Sequence, residues 1–275
     1  MTAKLFNQLR LLMKAWRGDV AGVRVPGLLK AWLKLATART RPGQRYDWNV
    51  GGLVLSAPNA DEARFLAIEI FLSTVYGPAL DKEAPRILDC GANCGFATAF
   101  FKLLHPRARI TAFEPSPRSF ALLNHNLKAN RFLDVETVNA ACGSGEGVLE
   151  FVESGHLSLI SSADRARAQG NKVTVPMVPL SRWVDEQVDL LKLDVEGAEH
   201  EILDELMESG RLPLVRRMAI EYHHRMGTPE CRLGQFLTRL EREGFTYSLA
   251  AGEAPGVRFG AAFQDIMIYA HRTNP

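Results

Sequence analysis

Long apolar runs are missing from this chain of 275 residues. A membrane-spanning helix needs roughly 20 consecutive apolar residues, and no stretch approaches that, so no such helix is expected. A signal-peptide core is missing too, because Arg10 and Lys14 break the apolar run from Leu5 to Met13. A cytoplasmic location is therefore the expectation. Cysteine is sparse, with four residues at 90, 94, 142 and 231 and no C-x-x-C pair. That is the usage of buried thiols in a reducing compartment, and it excludes a disulfide framework and a cysteine-based zinc site. Repeats and low-complexity tracts are absent, and with 47% hydrophobic residues the chain can bury one full core.

Acidic residues are nearly missing from the first 45 positions, which hold ten Lys or Arg and only Asp19. Their local charge of +9 leaves −7 for the remainder. A basic arm on an acidic body speaks to partners rather than to the fold. Leu5, Leu9, Leu12 and Trp16 repeat at helical spacing, as do Leu28 or Leu29, Trp32 and Leu35 or Ala36, with Gly18, Gly22 and Pro26 between them. Two short basic amphipathic helices follow. Such helices either cover the core or a dimer seam, the commoner fate of apolar stripes, or dock on an anionic membrane surface at the inner face. Nucleic acid is not an expected partner, since the arm has no aromatic interleaving beyond Trp16 and Trp32. Arg41-Pro-Gly-Gln reads as a linker, which divides the chain into an arm over 1–45 and a catalytic domain over 46–275.

A dinucleotide turn, G-x-G-x-x-G, is also lacking; its middle glycine lets a pyrophosphate sit on a helix N-terminus. In its place stands the stretch from Arg86 to Pro115. An apolar run ends in Asp89, passes through Gly91-x-x-x-Gly95 into a helical run over 96–104, and a second apolar run ends in Glu114. That is one βαβ unit. Gly91 and Gly95 can take positive φ and bring bare backbone near a ligand, whereas Ala92 and Asn93 occupy the place where a pyrophosphate would need glycine. A nucleoside without phosphates suits this turn. Glu114, followed by Pro115 and Ser116, would hold ribose hydroxyls, and Asp89 would grip an amino-acid end through water or backbone amides. S-adenosylmethionine has both parts. A third strand, expected over 135–141, would bring Asn139 and the backbone of Ala141 beside the adenine.

The segments Asp-Cys-Gly-Ala-Asn-Cys-Gly at 89–95, Phe-Glu-Pro-Ser-Pro at 113–117 and Leu-Leu-Lys-Leu-Asp-Val-Glu-Gly-Ala-Glu at 190–199, followed by Glu221-Tyr-His223, resemble the FkbM family of S-adenosylmethionine-dependent methyltransferases. The resemblance covers roughly Gly51 to Tyr269. It implies an α/β, Rossmann-like class I methyltransferase fold. A seven-stranded, mostly parallel sheet is expected, with an antiparallel edge hairpin over 245–249 and 265–270 and an N-terminal helical appendage. The implied acceptors are sugar hydroxyls of glycans or glycolipids and hydroxyls of polyketides.

Transfer of a sulfonium methyl to a hydroxyl needs in-line positioning and a base. Asp194 and Glu196 follow one strand, over 188–193, and Glu221 and His223 follow the next, over 215–220. His223 is the first choice of base, since an unperturbed imidazole titrates near neutrality. Glu221 and Asp194 would hold the acceptor hydroxyl and the ring. The acids Glu196, Glu199 and Glu201 open a helix, where the macrodipole favours them in any case. These groups could instead take a divalent ion such as Mg²⁺, but hydrogen bonds alone can satisfy such a site, and no residue is assigned as a metal ligand. Lys192 would pair with one of the acids. An insertion over 143–171 offers His156, Ser158 and Ser161 to a polyhydroxy acceptor. The alternative is a non-catalytic nucleoside-fold binding protein docked through its basic arm. Acids at every strand end argue against it. Homo-oligomerisation is left open.

Overall fold

The computed structural model describes residues 3–77, 79–154, 170–225, 230–251 and 264–272. Ahead of the sheet come α1 (Ala3–Arg17), a hairpin of β1 (Asp19–Val20) and β2 (Val23–Arg24), and α2 (Leu28–Ala36). A second hairpin joins β3 (Tyr46–Val50) to β4 (Leu53–Ala57) through Gly51 and Gly52, both at positive φ. Helix α3 (Ala60–Leu66) then runs into a π-helical segment, Ala67–Leu72.

The main sheet gathers β5 (Arg86–Cys90), β6 (Arg109–Phe113), β7 (Val135–Val138), β11 (Leu190–Leu193), β12 (Arg217–His224), β13 (Phe245–Ala251) and β14 (Gln264–Arg272) in the order β13-β14-β12-β11-β5-β6-β7. Helices α4 (Phe96–Leu104), α5 (Pro117–Ala129), α6 (Glu199–Glu208) and α7 (Leu233–Arg242) make the crossovers. Strands β5, β6, β7, β11 and β12 are mutually parallel, and β14 runs against both β12 and β13. This is the class I methyltransferase sheet. Strand order reverses between β5 and β11, so the crevice outside their carboxyl ends is the topological switch point where α/β folds bind ligands.

Three local expectations need correction. The third strand stops at Val138 instead of reaching Ala141, because Asn139 turns away to bind the Glu114 and Pro115 carbonyls. Ala141 falls in β8 (Ala141–Gly143), which joins β9 (Gly147–Ser154) and β10 (Gly170–Pro179) in a separate sheet. The helix after Asp194 begins at Glu199, since Glu196 and Gly197 both have positive φ. Strand β12 continues through His224, so Glu221 and His223 lie within it. His156, Ser158 and Ser161 lie outside the described residues.

The arm shares the body's core. Ala15, Leu28, Trp32 and Leu35 are buried in one cluster with Trp48, Phe71, Phe96 and Phe100. Trp48 donates through Nε1 to the Ala31 carbonyl at 3.3 Å, and Arg64 closes the end of α2 by donating to the carbonyls of Leu35 and Ala38. On the other side, Asn126 of α5 and Asn130 just past its end act as a substitute strand for β4. Each side-chain oxygen accepts from a β4 amide (Ser56, Val54), and each NH₂ donates back to the same residue's carbonyl. The edge of that hairpin is thereby covered. No helix among the described residues is long and apolar enough to cross a membrane.

Candidate active site

The end of β6 organises the glycine turn. The Phe113 carbonyl accepts from the amides of Gly91 (3.0 Å) and Ala92 (2.8 Å), and Glu114 Oε2 accepts from the amide of Asn93 at 2.7 Å. Glu114 Oε1 accepts from the Ser116 amide at 2.8 Å. Burial pushes the Glu114 carboxyl up to about 7, while these two amides and Lys192 pull the other way. The glycines answer first to the chain's own packing. A Cβ on Gly91 would sit 1.8 Å from the Asp194 carbonyl oxygen, and one on Gly95 would sit 2.7 Å from Leu123 Cδ1, with both residues at positive φ.

Asp89 and Asn139 are less free than expected. Asp89 is fully buried, accepts from Thr98 Oγ1 at 2.7 Å and pairs with Lys192 at 3.3 Å, so any grip on a ligand must pass through its neighbours. The Asn139 NH₂ donates to the carbonyls of Glu114 and Pro115 at 2.7 and 3.1 Å. With its NH₂ occupied, Asn139 has only its Oδ1 left to offer, a group that can accept from an amine such as adenine N6.

Lys192 locks the two sides of the switch point together. Its ammonium is buried between Asp89 and Asp194 (3.3 and 3.4 Å), donates to the Gly91 carbonyl at 2.5 Å and lies 5.2 Å from the Tyr76 ring centre. Burial opposes its charge, but Asp89, Asp194 and Glu221 outweigh burial and hold the ammonium above its usual range.

His223 stands at the centre of the acidic groups. Its Nδ1 meets Glu199 Oε1 at 2.6 Å, and its Nε2 lies 3.6 Å from Glu196, 3.9 Å from Asp194 and 4.0 Å from Asp265. Burial opposes protonation of the ring, but Glu199, Glu196 and Asp194 together hold its pKa well above 6.5. The expectation of an unperturbed ring is corrected accordingly: its surroundings favour the protonated form. Glu221, beside it on β12, is pushed well up by burial and then by Asp194 and Glu69. Glu69 reaches about 7 by burial and by Asp194. His224, on the opposite face of the strand, turns to Tyr222, their ring centres 6.2 Å apart. Two sets, Asp194–Glu196–His223 and Glu221–His223–Asp265, bring ligand atoms within 4.8 Å of one another, close enough to hold a divalent ion.

A methyltransferase FkbM domain matches residues 89–247. The chain belongs to the FkbM methyltransferase family. Among similar proteins, methyltransferase sdnD of Sordaria araneosa is 32% identical over 195 residues, covering 58% of this chain and 74% of its own. The 31-O-demethyl-FK506 methyltransferase FkbM of Streptomyces tacrolimicus is 28% identical over 231 residues, covering 71% and 86%. The 2-O-methyltransferase NoeI of Sinorhizobium fredii is 30% identical over 142 residues, covering 45% and 58%. The chain is an S-adenosylmethionine-dependent methyltransferase.

The FkbM match contains Asp89, Glu114, Asp194, Glu196, Glu199, Glu221 and His223, but three groups around the pocket lie outside it. Tyr76 donates to Asp194 at 3.4 Å, Asp265 stands opposite His223 across the β12–β14 ladder, and Glu69 bears electrostatically on Glu221. None was singled out from the sequence. A helical wheel for 61–76 cannot place Glu69 once a π-helical segment shifts its phase, and pairing Asp265 with His223 requires the hairpin register.

Proposed function

We propose that the chain methylates a hydroxyl oxygen of a saccharide, free or carried on a glycan or glycolipid, or of a related polyhydroxy natural product. The observation that carries this reading is the His223–Glu199 pair ringed by Asp194, Glu196, Glu221 and Asp265. A proton acceptor among hydrogen-bonding carboxyls suits a neutral, hydroxyl-rich acceptor. Two relatives bear names that specify transfer at oxygen.

When bound, S-adenosylmethionine supplies a methyl group already activated as a sulfonium. Glu114 fits its ribose: a carboxylate has about four acceptor positions, and the amides of Asn93 and Ser116 use two of them. The turn Gly91-Ala92-Asn93-x-Gly95, with Pro115, Ser116, Asn139, Ala141 and Asp194, completes the proposed cofactor contacts, and Asp89 supports the turn from below. His223, once neutral, takes the acceptor's hydroxyl proton on Nε2, while Glu199 holds the ring and stabilises the imidazolium. Glu221, whose proton is held more tightly by burial and by Asp194 and Glu69, binds a second acceptor oxygen, and Asp194 and Glu196 accept from neighbouring hydroxyls. A divalent ion held by Asp194, Glu196 and His223 would instead lower the hydroxyl pKa directly. The Glu199 contact fixes the imidazole in the manner of a metal-ligating histidine. Chelation separates the two: a rate unchanged by EDTA favours activation of the hydroxyl by His223 alone, and a rate lost to EDTA and restored by Mg²⁺ assigns the lowering of the hydroxyl pKa to the ion.

The reading is tested with methyl-labelled S-adenosylmethionine and a panel of oligosaccharides, glycolipids and polyols. The expected product carries the label as an alkali-stable methyl ether. Label found only on nitrogen, or only as an alkali-labile ester, overturns it.

The cofactor contacts are tested by calorimetry. Glu114→Ala is expected to weaken S-adenosylmethionine binding about 10- to 100-fold, the range for losing hydrogen bonds to a charged group. An affinity within about twofold of the parent would remove Glu114 from the ribose site.

The pH dependence has a definite sign. His223 must lose its proton to act, and its pKa is raised, so the rate should climb with pH on the alkaline side of 6.5. Because Glu199 is the first of the groups that raise it, Glu199→Gln should move that rising limb toward lower pH while reducing the plateau. A limb that stays in place dissociates it from this ring.

A further inference from the structure

The arm was read from its sequence as two amphipathic helices whose apolar stripes would either be packed or meet a partner, and the structure does both with different faces. Ala15 on α1 and Leu28, Trp32 and Leu35 on α2 are buried in the core. The described members of the Leu5–Leu9–Leu12–Trp16 stripe point the other way: Trp16 is 74% exposed and Leu12 36%, with Met13 between them at 52%. Arg10 and Arg17 flank these residues and are exposed as well. Lys14 is tied inward, donating to the Leu72 carbonyl at 2.7 Å. Helix α1 is thus anchored by one face and presents an aromatic and two flexible apolar side chains between cations on the other.

We propose that this outer face of α1 is a docking surface for an anionic lipid bilayer. Charge complementarity selects that occupant. The first 45 residues carry +9, with Asp19 as their only acid, so a second copy would bring like charges together across the same face. A nucleic acid would satisfy the cations but leave Leu12, Met13 and Trp16 without an apolar medium. An interfacial helix combines the two needs, its apolar side entering the headgroup boundary and its Lys and Arg meeting lipid phosphates. Trp is the side chain suited to that depth, being apolar in body with a polar N–H. On this surface the enzyme would meet acceptors carried on membrane lipids, yet the docking itself stands independently of which acceptor is methylated.

The test is flotation of the full-length protein with vesicles of phosphatidylcholine alone and of phosphatidylcholine containing phosphatidylglycerol. Parent protein is expected to bind the anionic vesicles at least tenfold more strongly than the neutral ones, and to be released by salt. The double variant Leu12→Ser/Trp16→Ser alters only exposed positions. It should reduce anionic-vesicle binding at least tenfold while retaining the parent's calorimetric affinity for S-adenosylmethionine, which shows that it is folded. Arg10→Glu/Arg17→Glu should do the same and remove the preference for anionic lipid. Failure of the parent to bind anionic vesicles overturns the proposal, as does undiminished binding by both variants. A dimer seen by light scattering and abolished by Leu12→Ser/Trp16→Ser, without vesicle binding, would give the face to a second copy instead.

Discussion

Lys192→Met is expected to destabilise the chain by about 3–5 kcal/mol, the usual cost of removing one partner from a buried ion pair. Lys192 is almost fully buried, and its ammonium bridges Asp89 and Asp194 while donating to the carbonyls of Cys90 and Gly91. Methionine fills the space but leaves the Asp89 side chain in a sealed site with only Thr98 to satisfy it. Urea denaturation of parent and variant measures the loss. Lys192→Met/Asp89→Leu provides the decisive comparison. If the damage comes from the orphaned charge rather than from lost packing, the double variant should recover a good part of the stability, because an apolar pair can replace a buried ion pair at little net cost. A single variant within about 1 kcal/mol of the parent would show that Lys192 is not the keystone of the switch point.

His223→Gln should lower kcat by about 10²- to 10⁴-fold, the range attributed to a positioned general base. Glutamine can still donate to Glu199, so that buried carboxylate keeps a partner and the fold is retained. Cofactor affinity should be unchanged, since the proposed contacts to S-adenosylmethionine come from the glycine turn, Glu114 and the segments beside them. The split between a lost kcat and a preserved cofactor affinity distinguishes a group acting on the acceptor proton from one that supports the pocket as a whole. A kcat within about threefold of the parent would take proton removal away from His223.

Much of this site could be read in the sequence because its residues sit where strands end. Asp89, Glu114 and Asp194 follow short apolar runs, and a run that stops at an acid before a glycine or proline marks the carboxyl end of a strand, where α/β folds place ligands. The cap of α5, Ser116 followed by Pro117, was legible for a similarly local reason. What escaped depends on geometry between distant segments. Asn139 breaks the third strand through hydrogen bonds to residues 114 and 115, which no propensity encodes. Glu199 was noticed only as an acid in the first turn of a helix, where the macrodipole explains it. Its contact with His223 depends on how α6 lies against β12. The pKa of His223 escaped as well, because it is set by Glu199, Glu196 and Asp194, acids of the segment that joins β11 to α6, and not by the ring's own neighbours in the chain. The outward stripe of α1 was seen as a stripe; which way it faced was decided by Ala15 and Lys14, the residues that anchor the helix.

The close approach at Gly91 also bears on motion. The backbone of the cofactor turn rests against the carbonyl of Asp194 with no room for one methyl group between them, and Lys192 bonds both strands from beneath. Donor turn and acid-bearing strand end are therefore expected to move as one unit, the distance between them held by these two contacts.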